Sequence, residues 1–458
     1  MPEYRVIGKA LRKVDAVAKV TGATKFADDL AFPRMLYCKL LRSTEPHARI
    51  ISLETTAAAS FDGVQAVLTG RDLPIPFGIL PVSQDEHALC VDKVRFIGDP
   101  VAAVAATSEE AATAALDLIK VVYEPLQSIA SAEEAVAHPE PRIHDYGDGG
   151  NLHKLVDLEF GDADAGIAEG DIVREDLFFF EGSTHLPMEQ HAAVAMWSPD
   201  GKLTLWTSTQ TPHYVHRAVA KVLELAPARV RVIATPNGGG FGGKSDPFNH
   251  EIAVAKLAML TGRPVKITLT REEVFYCHRG RHPTLMWVKT GVKRDGSITG
   301  MHFRSLLDGG AYGSYGVAST YYTGALQTVT YHVPRYHFQG ARAFTNKAPC
   351  GPKRGHGTPQ PRLLWKYIST RSPSNSASIR RSFVSRRSCR RIPSRLTTCA
   401  SARWASVRVS PKWSRDRTGS GSSGNCLKAT ESVSRARATS RAQGCRSTGT
   451  TCRTRACS

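Results

Sequence analysis

The sequence predicts an α+β chain with two structured regions and a basic tail that belongs to neither. Three observations predict it. A buried apolar run, a capped helix and a second strand follow one another between Val101 and Tyr123. From Leu152 onward a second series of strands and helices alternates. Beyond residue 362 the composition changes abruptly.

In the first region Val101–Ala106 is uniformly apolar, as expected of a strand covered on both faces. Ser108 is placed to cap a helix, and Glu109 and Glu110 favour its N-terminal dipole. The helix runs through Ala111–Lys120 into a strand at Val121–Tyr123. Residues 1–130 are therefore read as one domain. The polar, Pro- and Gly-containing stretch 131–151 is read as a linker. The second domain, 152–362, places strands at Leu203–Trp206 and Val230–Ala234. Between them Thr211 is an N-cap candidate, with Pro212 at the first helical position. Val215, Ala218, Val219, Val222 and Leu223 then share one helical face. A further helix is expected over Glu251–Leu260.

The formal charge of +19 is not spread along the chain. Pro361–Ser458 holds 22 of the 60 lysines and arginines but only two of the 41 acidic residues, Asp416 and Glu431. Residues 1–360 thus carry 38 basic against 39 acidic side chains, a net charge of −1. Six of ten cysteines also lie in the tail. The four before it, Cys38, Cys90, Cys277 and Cys350, are scattered, and no CxxC pair occurs. A zinc or iron–sulfur site is unsupported, and a reducing, cytoplasmic location is expected. No apolar run approaches the length of a membrane span, and no apolar leader opens the chain.

The tail, 363–458, has neither helical nor strand periodicity. A basic arm that binds nucleic acid is one reading. The genetic code offers another, because a one-base shift exchanges Ser and Arg codons for those of apolar and small residues. Shifted in this way, LLWKYISTRSPSNSASIRRSF becomes FALEIYLDKVAEQLGIDPAELR, a string with helical apolar spacing. The tail is read as frame-shifted, disordered or non-native, and not as a domain.

Two constellations carry chemistry. The first is Asn237-Gly238-Gly239-Gly240-Phe241-Gly242-Gly243-Lys244, whose glycines allow the main chain to approach a ligand closely. Gly238 to Ser245 also matches the phosphate-loop pattern GxxxxGK[ST], so a P-loop NTPase is an alternative from a different class. Asp246-Pro247, which interrupts the helix such a loop requires, speaks against it. The second is Cys350-Gly351-Pro352-Lys353-Arg354-Gly355-His356-Gly357-Thr358, where Arg354 could fork onto a phosphate or carboxylate.

These residues resemble the molybdenum-cofactor-binding large subunit of the xanthine oxidase/aldehyde oxidase family. Lys19-Val20-Thr21-Gly22, Arg42-Ser43, His47-Ala48-Arg49-Ile50 and Gly98–Val104 resemble its N-terminal a/b hammerhead domain. Gln210, the loop at 239–242 and Arg354–Gly357 resemble the first part of its α/β molybdopterin-binding domain. The resemblance covers about residues 5 to 362.

It implies a molybdenum–molybdopterin cofactor, in the cytosine dinucleotide form, with the metal held by the pterin dithiolene and by no protein side chain. Gln210 would face an oxo ligand. Gly239, Gly240, Phe241 and Gly242 would line the metal's surroundings, and Arg354 and Gly355 would sit beside the pterin. Tyr322 and His356 would face the substrate. The resemblance implies [2Fe–2S] clusters and FAD on partner subunits, and no nucleic-acid or membrane partner. The family's catalytic base is a Glu in a second molybdopterin-binding domain beyond residue 362, so this chain alone is expected to be inactive.

Ser245, His356 and Tyr322 depart from the residues of purine-oxidising members, and Gly355 stands where carbon monoxide dehydrogenases carry Cys. The strings His278–Arg281, Tyr322–Leu326 and Arg354–Thr358 look most like the alpha subunit of 4-hydroxybenzoyl-CoA reductase. An aromatic substrate such as 4-hydroxybenzoyl-CoA is therefore expected, with aldehyde or N-heterocycle hydroxylation as the alternative.

Overall fold

The computed structural model describes residues 4–277, 279–329, 331–370 and 389–391. The apolar run of the first region forms the strand Pro100–Ala106, buried at every position. It lies antiparallel to Leu36–Arg42 on one side and to Val64–Thr69 on the other. Ser108 Oγ accepts the N–H of Ala111 and starts the helix Glu109–Leu116, as its sequence requires.

The following strand, Lys120–Pro125, does not return to the same sheet. It pairs antiparallel with Ala48–Glu54 in a separate three-stranded sheet completed by Lys93–Val94. Alternate residues of Lys120–Pro125 face solvent, and such a strand does not fit beside one buried on both faces.

The main sheet has seven strands, in the order Val230–Ala234, Leu203–Thr207, Ala192–Trp197, Val265–Thr268, Leu36–Arg42, Pro100–Ala106 and Val64–Thr69. It joins the two regions through a parallel contact, Leu36 opposite Val265. The expected helical face is buried against it: Val215 and Val219 are fully covered on the helix Pro212–Val222. Beside it packs the helix Asn249–Thr261, closed by Gly262 in the left-handed conformation. Each Val or Leu side chain so covered contributes about 1.5–3 kcal/mol.

A six-stranded sheet forms the other half, in the order Cys389–Arg391, Ile172–Phe180, Thr284–Val292, Ile298–Asp308, Tyr336–Ala343 and Leu152–Phe160. Met286, Val288, Phe303 and Phe338 make its core. The stretch 131–151 is ordered rather than extended. It holds the helix Ala132–Ala137, buries Ile143 and His144, and is pinned by the Asn151 amide, which donates to the carbonyls of His138, Pro139 and Pro141.

The α+β class expected from the sequence is observed. The compositional break near residue 362 does not coincide with a structural one. The helix Pro359–Thr370 runs through it, burying Leu364 and Trp365, and Trp365 stacks on Tyr331 at 4.6 Å. The rest of the tail lies outside the described residues, apart from the strand Cys389–Arg391, which pairs with Phe178–Phe180. The frame-shift and basic-arm readings therefore fall outside them too. Among the described residues no helix is long and apolar enough to cross a membrane.

Candidate functional site

Gln210 and the glycine loop meet because they leave neighbouring strands at the same end. Leu203–Thr207 and Val230–Ala234 are parallel, with Thr207 opposite Ala234. The helix Pro212–Val222 makes the crossover between them, so both following loops lie outside the carboxyl ends of the strands. Such a crevice is where open α/β sheets bind ligands.

Gln210 Oε1 accepts the N–H of Gly242 at 2.9 Å and that of Lys244 at 3.4 Å. The Gln210 N–H in turn donates to the Lys244 carbonyl at 2.8 Å. With Oε1 held by the loop, the Nε2 donors are the free end of the carboxamide. Two glycines here are required by space. A Cβ on Gly240 would strike the Gln210 carboxamide, and one on Gly242 would strike the Pro352 carbonyl. Between them Phe241 takes a positive φ of 53° and stays 45% exposed. The N–H groups of Gly239, Gly240 and Phe241 meet no acceptor among the described residues.

Lys244 does not serve a phosphate. It is buried, and its ammonium donates to Glu189 Oε2 at 2.6 Å and to the Gln190 carbonyl at 3.2 Å. Glu189 Oε2 also accepts the N–H of Gly238 at 2.8 Å, so one carboxylate ties both ends of the loop. Burial lowers the Lys244 pKa, and Glu189 opposes the shift. The next helix starts only at Asn249. The P-loop reading thus fails on its own lysine: the GxxxxGK[ST] match is a coincidence of pattern. Glu189 escapes sequence reasoning, because a lone carboxylate in Met188-Glu189-Gln190 has no spacing that marks it. A groove of about 390 Å³ is lined by Glu189, Gly238, Phe26 and Asp29.

The second constellation docks on the first. The Arg354 N–H donates to the Phe241 carbonyl at 3.0 Å, and its guanidinium lies 5.7 Å from the centre of the Phe241 ring. Gly355, at φ 90°, turns the chain toward His356. His356 Nε2 is 2.6 Å from Ser319 Oγ, with the rings of Tyr322 and Tyr315 edge-on at 5.3 and 5.8 Å. Burial, assisted by the positive charge of Arg281, pushes the His356 pKa down to about 4, so the ring is neutral near pH 7. The Tyr322 and His356 rings are thus in contact, but among the described residues no hydrogen bond joins them to Gln210.

Two arginines of the His278–Arg281 string support these loops. Arg279 is buried between Asp246, at 2.9 Å, and Glu86, at 2.5 Å, and Ser314 Oγ donates to the same Asp246 oxygen. Burial raises the Glu86 pKa to about 8, against the pull of Arg279. Arg281 donates to the carbonyls of Arg354 at 2.6 Å and Lys353 at 3.3 Å. No group of three or more His, Cys, Asp or Glu side chains among the described residues is placed to hold a metal ion.

Comparison with known proteins shows the family. Residues 143–366 match the family model of the molybdopterin cofactor-binding domain. Residues 21–127 match that of the aldehyde oxidase and xanthine dehydrogenase a/b hammerhead domain. Over 360 residues the chain is 41% identical to the nicotinate dehydrogenase large molybdopterin subunit of Eubacterium barkeri, spanning 78% of this chain and 83% of that one. It is 35% identical over 360 residues to the xanthine dehydrogenase molybdenum-binding subunit of Escherichia coli O157:H7, spanning 76% of this chain and 47% of the relative. The aldehyde oxidoreductase structure from Desulfovibrio gigas superposes with a TM-score of 0.72 at 29% identity, over 78% of this chain and 41% of that one. The chain thus spans most of the first relative and less than half of the other two. It belongs to the xanthine oxidase family of molybdopterin-binding large subunits, whose members are molybdenum oxidoreductases.

Proposed function

We propose that the chain is the molybdenum-cofactor-binding subunit of an assembly that hydroxylates an N-heteroaromatic ring. The observation that carries this is the junction of Gln210, the 239–242 loop and Arg354 outside two parallel strands. The residues fit the cofactor. Among the described residues Gln210 Nε2 and three main-chain N–H groups are donors without acceptors, suited to oxo and pterin oxygen atoms. The absence of side chains at Gly240 and Gly242 lets Gln210 and Pro352 close against the loop. When bound, the cofactor supplies oxygen transfer to the substrate and accepts two electrons.

The chain's own residues bind and orient. Gln210 donates toward the cofactor's oxygen, Phe241 and Arg354 cover its edge, and neutral His356 with Tyr322 offers a flat wall to an aromatic ring. The cytosine dinucleotide form, transfer of electrons to [2Fe–2S] and FAD on partner subunits, and a cytoplasmic location belong to the same reading. The burial of the free cysteines Cys38, Cys90 and Cys350 is in keeping with that location.

The relative named for nicotinate supports a heteroaromatic substrate. Reductive dehydroxylation of 4-hydroxybenzoyl-CoA is the second reading, favoured by His356 and Tyr322 standing together where purine-oxidising members differ. Co-expression with the iron–sulfur and FAD subunits and a chain that supplies the second molybdopterin-binding domain separates the two. The expected product is a hydroxylated nicotinate-type ring. Turnover of 4-hydroxybenzoyl-CoA alone would reverse the choice.

A further inference from the structure

The cations around the glycine loop, some buried and one, Arg354, exposed, fall into two classes. Lys244 is neutralised by Glu189, and Arg279 by Asp246, with the Glu86 carboxyl also in contact. Arg342, also fully buried, spends its donors on His282, His153 and the carbonyls of Gly309, Tyr312 and Cys350. Arg281, Lys353 and Arg354 differ from these. Among the described residues none of the three has a carboxylate within ion-pair reach, although Arg281 is only 7% exposed.

The Arg281 side chain grips the main chain of the other two. One Arg281 nitrogen, Nη2, holds the carbonyls of Lys353 and Arg354, leaving Nε and Nη1 without a described acceptor. The Lys353 ammonium rests on Ser183 Oγ at 2.8 Å and on the Thr184 carbonyl at 2.7 Å, both uncharged. The field of the cluster is felt locally. Burial and then Arg281 and Arg354 lower the Lys353 pKa, and Arg281 also opposes protonation of His356. Like charges gathered at a partly buried site without a counter-ion destabilise the fold unless a ligand supplies the anion, and such groups concentrate at functional sites.

We propose that Arg281, Lys353 and Arg354 form an oxyanion-binding subsite that receives a carboxylate or phosphate group beside the His356–Tyr322 wall. The free edge of the Arg281 guanidinium is the planar donor such an anion needs, and Lys353 adds a point charge. Two sources share this chemistry: a carboxylate on the ring substrate and a phosphate of the cofactor. The inference rests on reading this loop as the one that faces substrate and cofactor.

The test is calorimetric titration of the purified full chain at low salt with benzoate, benzamide and inorganic phosphate. Benzoate binding at least tenfold tighter than benzamide, and weakened at least tenfold in Lys353→Gln, supports the subsite with a substrate carboxylate as its anion. Phosphate binding with the same Lys353 dependence, and benzoate weak, supports it with a cofactor phosphate. Equal affinity for benzoate and benzamide without phosphate binding, or anion binding indifferent to Lys353→Gln, overturns it. Arg281→Lys keeps the charge and loses the fork. If Lys353→Gln fails to fold, this second variant is read in its place, with the same tenfold criterion. Molybdenum content of the assembled wild type reads the proposed function separately. Anion binding without molybdenum would sink that reading and leave the subsite standing.

Discussion

The carboxamide oxygen of Gln210 accepts the main-chain N–H of Gly242 at 2.9 Å, which makes two sequence-distant segments one rigid edge of the site. The contact depends on Gly240, whose missing side chain is what lets the carboxamide reach the loop. Gly240→Ala therefore displaces either the loop or Gln210. The expected stability cost is about 1–3 kcal/mol, typical of overpacking. Bound molybdenum should fall several-fold in the co-expressed assembly, measured by elemental analysis, while far-UV circular dichroism stays unchanged.

Lys244 and Glu189 form a buried pair that closes the loop. Lys244→Met leaves the carboxylate buried and unpaired, which costs about 3–5 kcal/mol. Chemical denaturation measures this directly. The wild-type chain should show no ATP binding by calorimetry, and ATP binding abolished by Lys244→Met would restore the nucleotide reading.

His356 gives a pH signature. Its folded pKa is about 4, below the value near 6.5 of an unfolded histidine. Between those values the unfolded chain binds the extra proton, so stability falls as pH drops from 6.5 toward 4. Above 6.5 the residue contributes no pH dependence. The contribution is at most about 3.5 kcal/mol at about 1.4 kcal/mol per pKa unit. His356→Gln should lose correspondingly less stability than wild type between pH 7 and pH 5. Parallel acid profiles for the two proteins would contradict the buried neutral ring.

Trp365 tests the helix that crosses the compositional break. It is 2% exposed and stacks on Tyr331 with an interplanar angle of 19°. Trp365→Ala should cost about 3–5 kcal/mol, read as a lower thermal midpoint. An unchanged midpoint would place the end of the packed structure at residue 362.

Much of the local structure was legible in the sequence because it is set by short-range chemistry. Ser108 caps its helix, Pro212 opens the next, and Val230–Ala234 is a strand with the bounds its apolar run implies. The meeting of Gln210 with the glycine loop was legible only through family resemblance, since strand and helix patterns name no partner for a single side chain. The sharing of one sheet by both regions was not legible at all. It depends on Leu36 pairing with Val265, and a two-residue parallel contact leaves no pattern in either segment. The partners of the buried charges were hidden for the same reason. Glu86 lies far from Arg279 in sequence, and no periodicity connects them.

The most direct measurement is the molybdenum content of the full chain co-expressed with the iron–sulfur and FAD subunits of the proposed assembly, wild type against Gln210→Ala. The cradle formed by Gln210, the 239–242 loop and Arg354 predicts near-stoichiometric molybdenum in the wild type and a several-fold loss in the variant at unchanged thermal stability. Wild-type protein that folds and assembles without molybdenum, or a variant that retains it in full, would contradict that role.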